Sequence, residues 1–281
     1  MNARSMGVLN YYANKVVARI ARPFVTKSMN RVEEGVVTLN LPEFKGRFKM
    51  SAKSHIFKRV IIDNCFEPTT VALTRKYANR RDLIDVGANI GLFSVLFSNI
   101  ASITGSRVLS IEPNSQALGF LHENLSVNVP QKKNVIVYEG IATDEPKNYD
   151  FNFIEGMSEY SSTSEIVHPA VMNETISHSK VEGDTLDNLV DKHGLQPGFI
   201  KIDVEGGERE VLNGASLTID RYRPIILLEI NDFASLSERI SPFYSNYFQQ
   251  RNYKILNHSL RAAKEPYIGD YVCFPNEYVL N

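Results

Sequence analysis

LIDVGANIGLFSVLF, Leu83 to Phe97, runs from an apolar stretch through a turn of small side chains and back into apolar sequence. Asp85, Gly87, Asn89 and Gly91 fall at alternate positions where a strand gives way to a helix. Glycine lets other atoms approach the backbone, and asparagine tolerates a left-handed turn. A dinucleotide fingerprint would place glycines at 87, 89 and 92; the chain has Gly87, Asn89 and Leu92 there, so that pattern fails. A nucleoside without a pyrophosphate fits the turn better, with Asp85 facing a cationic or hydrogen-bond-donating group. Structural turn chemistry is the competing reading.

Outward from this turn, β-branched runs alternate with helical patterns, the mark of an α/β chain with a mostly parallel sheet. Strands are expected at Leu83–Val86, Val108–Ile111, Val135–Glu139, Phe199–Val204 and Ile225–Ile230. Their nearly continuous apolar character predicts cover on both faces. The tail segments NYKILN and DYVCF add two more, an antiparallel pair at the sheet edge, making seven strands. Helices are expected at Gly91–Ser102, Ser115–Asn128, Thr185–Lys192, Glu208–Leu212 and Ser235–Arg251, with Pro68 and Thr69 opening another. Residues 155–171 are polar and irregular, as lids and binding loops often are.

The end of the second strand, VLSIEP, puts Glu112 21 residues after Gly91, where a carboxylate reaches the hydroxyls of a bound ribose. Ala88 and Pro113 flank the same two turns. Asp144, in IATD after the third strand, is placed to accept from an adenine amino group, though a solvated turn aspartate reads the same way. Together with the failed glycine spacing, these residues favour S-adenosyl-L-methionine over NAD.

FIKIDVEGGEREVL, Phe199 to Leu212, carries Lys201, Asp203 and Glu205 on one face of a strand or its carboxyl end, where ligands of such sheets gather. A lysine inside a strand must find a partner. Glu229 on the next strand has the same need, so Lys201 and Glu229 are expected as mutual or near partners, with Asp203 facing the reactive group. Asp203 is the first candidate for a general base, with Glu205 and Glu229 behind it. An ion-pair network that only orders strand ends is the alternative. His168 in the irregular loop reads equally as a surface residue. Clustered carboxylates can also bind a divalent cation, but no ligand spacing supports one, and no metal is expected.

The chain resembles the FkbM family of S-adenosylmethionine-dependent methyltransferases. The matching segments are FEP (Phe66–Pro68), LIDVGANIGLFS (Leu83–Ser94), IEP (Ile111–Pro113), YSST (Tyr160–Thr163), DTLDNLV (Asp184–Val190), FIKIDVEGGEREVLNGA (Phe199–Ala215) and RPIILLEI (Arg223–Ile230), in order over residues 55–275. The resemblance implies a class I, Rossmann-like methyltransferase fold with helices on both faces of the sheet. It also implies cofactor contacts from Asp85, Gly87, Asn89, Gly91 and Glu112, and active-site positions for Asp203 and Glu205. Such enzymes commonly methylate hydroxyls of sugars or secondary metabolites, and some act on peptide nitrogens. Tyr160, Ser161 and Ser162 offer sugar-compatible hydroxyls, and Lys201 a charged contact, so the acceptor is expected to be a sugar of a surface glycan or glycolipid. A peptide or polyketide natural product is the alternative.

A net charge of −1 gives no global field to recruit nucleic acid. Cys65 and Cys273 form no metal or redox pattern and fit a reducing, cytoplasmic setting. Residues 1–32 are set apart by six basic residues with no acid before Glu33. Val8, Tyr12, Val16, Ile20 and Phe24 form a helical stripe there, which Pro23 ends or kinks. It reads as a helix docked on its own domain or on a second subunit, or as a basic helix resting residues 1–31 on an anionic membrane. Residues 33–80 are expected to form a substrate-side cap, and 81–281 the cofactor-binding domain.

Overall fold

The computed structural model describes residues 35–78, 81–129, 134–155, 161, 163, 175–230, 242–265 and 267–279. The basic amphipathic segment 1–32, Tyr160, Ser162 and His168 lie outside them.

Two strands, β1 (Val36–Leu41) and β2 (Gly46–Ser51), open the described chain as an antiparallel hairpin. Helices α1 (His55–Asp63) and α2 (Pro68–Tyr77) follow. The central sheet holds β3 (Asp82–Val86), β4 (Val108–Ile111), β5 (Val135–Tyr138), β9 (Pro197–Ile202), β10 (Ile225–Ile230), β11 (Tyr253–Asn257) and β12 (Gly269–Pro275). Its order is β11-β12-β10-β9-β3-β4-β5. Pairings from β10 through β5 are parallel, and β12 runs antiparallel to both its neighbours. The seven-stranded, mostly parallel sheet expected from sequence is therefore present, with β12 inserted before the edge strand.

Alternation along the strands sorts the core into two layers. Leu83, Phe199, Ile225 and Leu227 face helices α3 (Leu92–Thr104) and α4 (Ser115–Asn128). Ile84, Val86, Ile200, Ile202, Ile226 and Leu228 face α5 (Leu186–His193), α6 (Glu208–Asn213), α7 (Ser216–Tyr222) and α8 (Phe243–Gln250). The helix starts follow from local chemistry: Asn114 accepts from the amides of Gln116 and Ala117, and Thr185 from that of Asn188. The expected strand Phe199–Val204 runs Pro197–Ile202, because Glu205 and Gly206 turn the chain at positive φ. Of the expected helix Ser235–Arg251, the described part is Phe243–Gln250.

A second sheet, β6 (Ile141–Thr143), β8 (Ile176–Thr185) and β7 (Lys147–Ile154), stands beside the first in the order β6-β8-β7. Only its YDFNFI portion has a strand signature in sequence. Its partner β8 is polar and largely exposed, so no apolar period marks it.

The N-terminal hairpin is fixed to α4 through asparagine side chains. Asn124, 1% exposed, accepts from the Lys49 amide at 2.7 Å and donates to the carbonyls of Lys49 and Ile90 at 3.0 and 2.8 Å. Asn128 brackets Arg47 in the same way. Phe44 packs edge-on against Phe48 and Phe93, and the series continues through Phe97 to Phe199. Such pairs are each worth about 0.5–1.5 kcal/mol beyond the area they bury. Among the described residues, no helix is long and apolar enough to cross a membrane.

Candidate active site

The chain leaves β3 toward β4 and β5 on one side, and returns to pair β9 with β3 on the other. At such a switch point the loops beyond the strand ends diverge and leave a crevice. A cavity of about 750 Å³ opens there, within the usual range for ligand sites.

One wall is the Gly87–Ile90 turn with Glu112, Pro113, Ile141, Ala142 and the exposed Asp144. Glu112 is 6% exposed, and each of its oxygens accepts a backbone amide: Oε2 from Asn89 at 2.7 Å, Oε1 from Asn114 at 2.8 Å. Burial pushes its carboxyl up to about 7, against those two hydrogen bonds. A carboxylate oxygen can accept twice, so each retains capacity for a ribose hydroxyl. Asp85 is fully buried; Oδ2 accepts from Ser94 at 2.6 Å, while Oδ1 has no hydrogen-bond partner. Burial raises its carboxyl, and Lys201 pulls against that rise. An orphaned buried carboxylate oxygen costs free energy that a cationic or N–H-donating ligand would recover. The group expected from the sequence carries both vicinal hydroxyls and an ammonium, so the residues present fit it.

The glycines of the turn also serve the chain itself. A Cβ on Gly87 would stand 1.8 Å from the carbonyl oxygen of Asp203, at φ +80°. One on Gly91, which caps α3 at φ +87°, would meet Leu121 at 2.5 Å. Smallness here thus lets β9 and α4 close on the turn, and it brings Asp203 directly against Gly87. Gly91 supports the wall from behind and does not line it.

The opposite floor is acidic. Glu67, Asp203 and Glu229 present carboxylate oxygens that all lie within 4.8 Å of one another. Two ionised carboxylates at 4.8 Å repel by about 3 kcal/mol at an effective dielectric near 20, so the group cannot hold every negative charge without relief. Lys201, 6% exposed, supplies one relief: its Nζ donates to Asp203 Oδ2 at 2.7 Å and stands 4.8 Å from the Phe93 ring centre. Burial disfavours the Lys201 charge, yet Asp203, Glu67 and Asp85 together hold its pKa above the ordinary value. Protons supply the rest. Burial pushes Glu67 up to about 7, with Asp203 and Asp270 adding to the rise. Asp203, then burial and Asp270, push Glu229 up to about 9. Three carboxylates this close are also a spacing that a divalent cation can bridge.

This floor refines one expectation and extends another. The ion-pair partner of Lys201 is Asp203, just past the end of β9, while Glu229 is a near neighbour whose carboxyl the lysine acts on without a direct ion pair. Glu205, at φ +54°, lines the cavity beyond Asp203. Ser161 is buried on the cavity wall and accepts from Asn114 Nδ2 at 2.8 Å. Glu67 was not among the expected site residues, although FEP marks its position. It caps α2 from a left-handed backbone, φ +43°, with Pro68 as the first helical residue. That conformation is unusual for a non-glycine and turns the chain sharply into the helix.

Comparison with known proteins gives the fold a family. The description "Methyltransferase FkbM domain" matches residues 85–255, more than half of the chain. Among curated proteins, the AMB antimetabolite synthetase AmbE of Pseudomonas aeruginosa is 24% identical over 243 residues; the match covers 74% of this chain and 11% of that protein. The chain thus spans only a small part of that relative's length. Among solved structures, the methyltransferase FkbM from Methylobacillus flagellatus aligns with a TM-score of 0.43 and 18% identity, over 69% of this chain and 43% of that one. An O-methyltransferase from Bacillus cereus in complex with SAH aligns with a TM-score of 0.41 and 13% identity, over 73% and 77%.

Proposed function

We propose that this chain, which belongs to the FkbM family of S-adenosylmethionine-dependent methyltransferases, transfers the methyl group to a hydroxyl of a sugar, in a surface glycan or glycolipid. The observation that supports this reading is the carboxylate floor of Glu67, Asp203 and Glu229 beside the Gly87 turn. A sugar presents several adjacent O–H donors, and a set of close carboxylates accepts them; a phosphate or carboxylate acceptor would be repelled. Ser161 and Thr163 add hydroxyls on the same cavity wall.

The bound cofactor supplies an electrophilic sulfonium methyl. In this reading Glu112 accepts the ribose hydroxyls, Asp85 Oδ1 accepts from the cofactor's ammonium, and Asp144 accepts at the base edge. Asp203 and Glu229 orient the acceptor hydroxyl and take its proton. Orientation accounts for the larger share, on the order of 7–11 kcal/mol when alignment is good, and a placed base adds about 10²–10⁴-fold. Residues 35–78 act as the acceptor-side cap over the cofactor-binding domain.

The test is incubation with labelled S-adenosylmethionine and a panel of glycans, methyl glycosides and peptides, with acid and alkaline hydrolysis of any product. Label in an alkali-stable ether supports the reading, and Asp203→Asn lowers its rate at least tenfold. Label released as an N-methyl amino acid from a peptide acceptor supports the second reading, transfer to a natural product, which the antimetabolite synthetase relative favours.

A further inference from the structure

The acidic floor draws on two parts of the chain. Asp203, just past the end of β9, and Glu229, from β10, lie within the family-matched segment. Glu67 comes from the cap, before that segment begins. The charged groups acting on Glu67 are Lys201 from β9, Asp203 just beyond it, Asp270 from β12 and Arg59 from α1. Glu229, from β10, completes the floor, and Asp270 is its cross-strand partner. Lys201 is bonded to Asp203, and Arg59 forms an ion pair with Asp63 at 3.4 Å. His258 stands 3.6 Å from Asp270. Among the described residues, the floor therefore carries more carboxylates than committed cations.

We propose that Glu67 is a proton-accepting residue of the reaction, and that the sulfonium charge of the bound cofactor governs whether the Glu67–Asp203–Glu229 floor keeps or releases its proton. The proposal rests on the reading above for where the methyl group is transferred, and it holds for any acceptor that loses a proton.

A proton and a sulfonium are alternative reliefs for the same surplus negative charge. When S-adenosylmethionine enters, its positive charge favours the ionised carboxylates, and the floor gives up a proton. In transfer, the S–CH₃ bond breaks with its electron pair left on sulfur. The O–CH₃ bond forms with a pair from the acceptor oxygen. Sulfur is then neutral, the floor regains its affinity for a proton, and the acceptor's O–H proton is the one at hand. The product cofactor leaves, and the next sulfonium expels the stored proton to water. The base is thus weak while the donor waits and strengthens as the methyl leaves.

Calorimetric titration of the full chain with S-adenosylmethionine and with S-adenosylhomocysteine tests this without any acceptor. It is run at pH 7 with EDTA, in three buffers of different ionisation enthalpy, so the buffer dependence of the heat counts protons. The two ligands differ only in the sulfur's methyl group and the positive charge it confers. The expected result is release of about half a proton or more in excess with S-adenosylmethionine, and loss of at least half of that excess in Glu67→Gln. Equal proton release for the two ligands in the unmodified chain overturns the proposal, whatever the variant does. An excess that survives in Glu67→Gln overturns the role of Glu67. If neither ligand binds, the cofactor reading falls with it; if both bind with no excess, only this inference falls.

Discussion

Removing the Lys201 ammonium is the most informative single perturbation of the site. Lys201→Met keeps a long apolar stem against Phe93 but deletes the cation that donates to Asp203 at 2.7 Å. Asp85, Asp203, Glu67 and Glu229 then face one another without it, and Lys201 acts on Asp85, Glu67 and Glu229 in the direction of ionisation. Deleting one member of a buried pair costs about 3–5 kcal/mol, since the orphaned charge stays behind. For a domain of this size that lowers Tm by about 10 °C. The penalty depends on pH with a definite sign. Without Lys201 the folded carboxyls hold protons more tightly, so the folded variant binds more protons than the folded parent, and its relative stability recovers as pH falls. Urea unfolding followed by far-UV circular dichroism at pH 5, 6.5 and 8 should show the full cost at pH 8 and less than half of it at pH 5. The double variant Lys201→Met/Asp203→Asn should regain more than half of the loss at pH 8. A cost under about 1 kcal/mol at pH 8, or a double variant no better than the single one, refutes the account of the floor.

Glu112→Gln sets an N–H₂ against one of the two backbone amides the carboxylate now accepts from; its Kd for S-adenosylmethionine should rise by about 10–100-fold by calorimetry, as hydrogen bonds to a charged group are worth about 1.5–3 kcal/mol. Gly87→Ala drives a Cβ to 1.8 Å from the Asp203 carbonyl and should cost several times more Tm than Gly105→Ala, which meets nothing within 4 Å and carries only its left-handed strain of about 1–2 kcal/mol. Glu67 and Glu229 have folded pKa values of about 7 and about 9, above the ordinary 4.5, so their contribution is fully present below pH 4.5 and is lost as pH rises through those values. Cofactor-free protein should therefore lose several kcal/mol between pH 5 and pH 9, up to about 7 kcal/mol for two independent groups, with saturating S-adenosylmethionine flattening the decline; a flat stability profile without cofactor contradicts the reading.

The sheet was legible because its strands are buried on both faces and advertise themselves as unbroken apolar runs, as Leu83–Val86 and Ile225–Leu228 do. The turn wall of the cavity was legible for a local reason: Asp85, Gly87, Asn89 and Glu112 lie at strand ends or in the turns just after them, where sequence position and spatial position coincide. The acidic floor was only half visible. Asp203 and Glu229 stand at strand ends too, but spacing alone does not tell that Lys201 bonds directly to Asp203 and only neighbours Glu229, since a flexible lysine reaches the nearer carboxylate without crossing to β10. Glu67 was overlooked because it arrives through a left-handed residue before a proline, and a single charged residue there carries no periodic signal. The polar strand β8 escaped for the same want of alternation.

The junction between α2 and β3 lies just before the family-matched segment begins. The residues proposed to hold the nucleoside lie on the junction's far side, while Glu67, one of the three acids proposed to meet the acceptor, lies on its near side. On the proposed reading, recognition of the acceptor can be exchanged without disturbing the donor pocket. Grafting residues 35–78 from another member of the family onto this catalytic half is the natural way to retarget it, provided the newcomer keeps an aromatic ring where Phe44 meets Phe93 and backbone strands that Asn124 and Asn128 can grip.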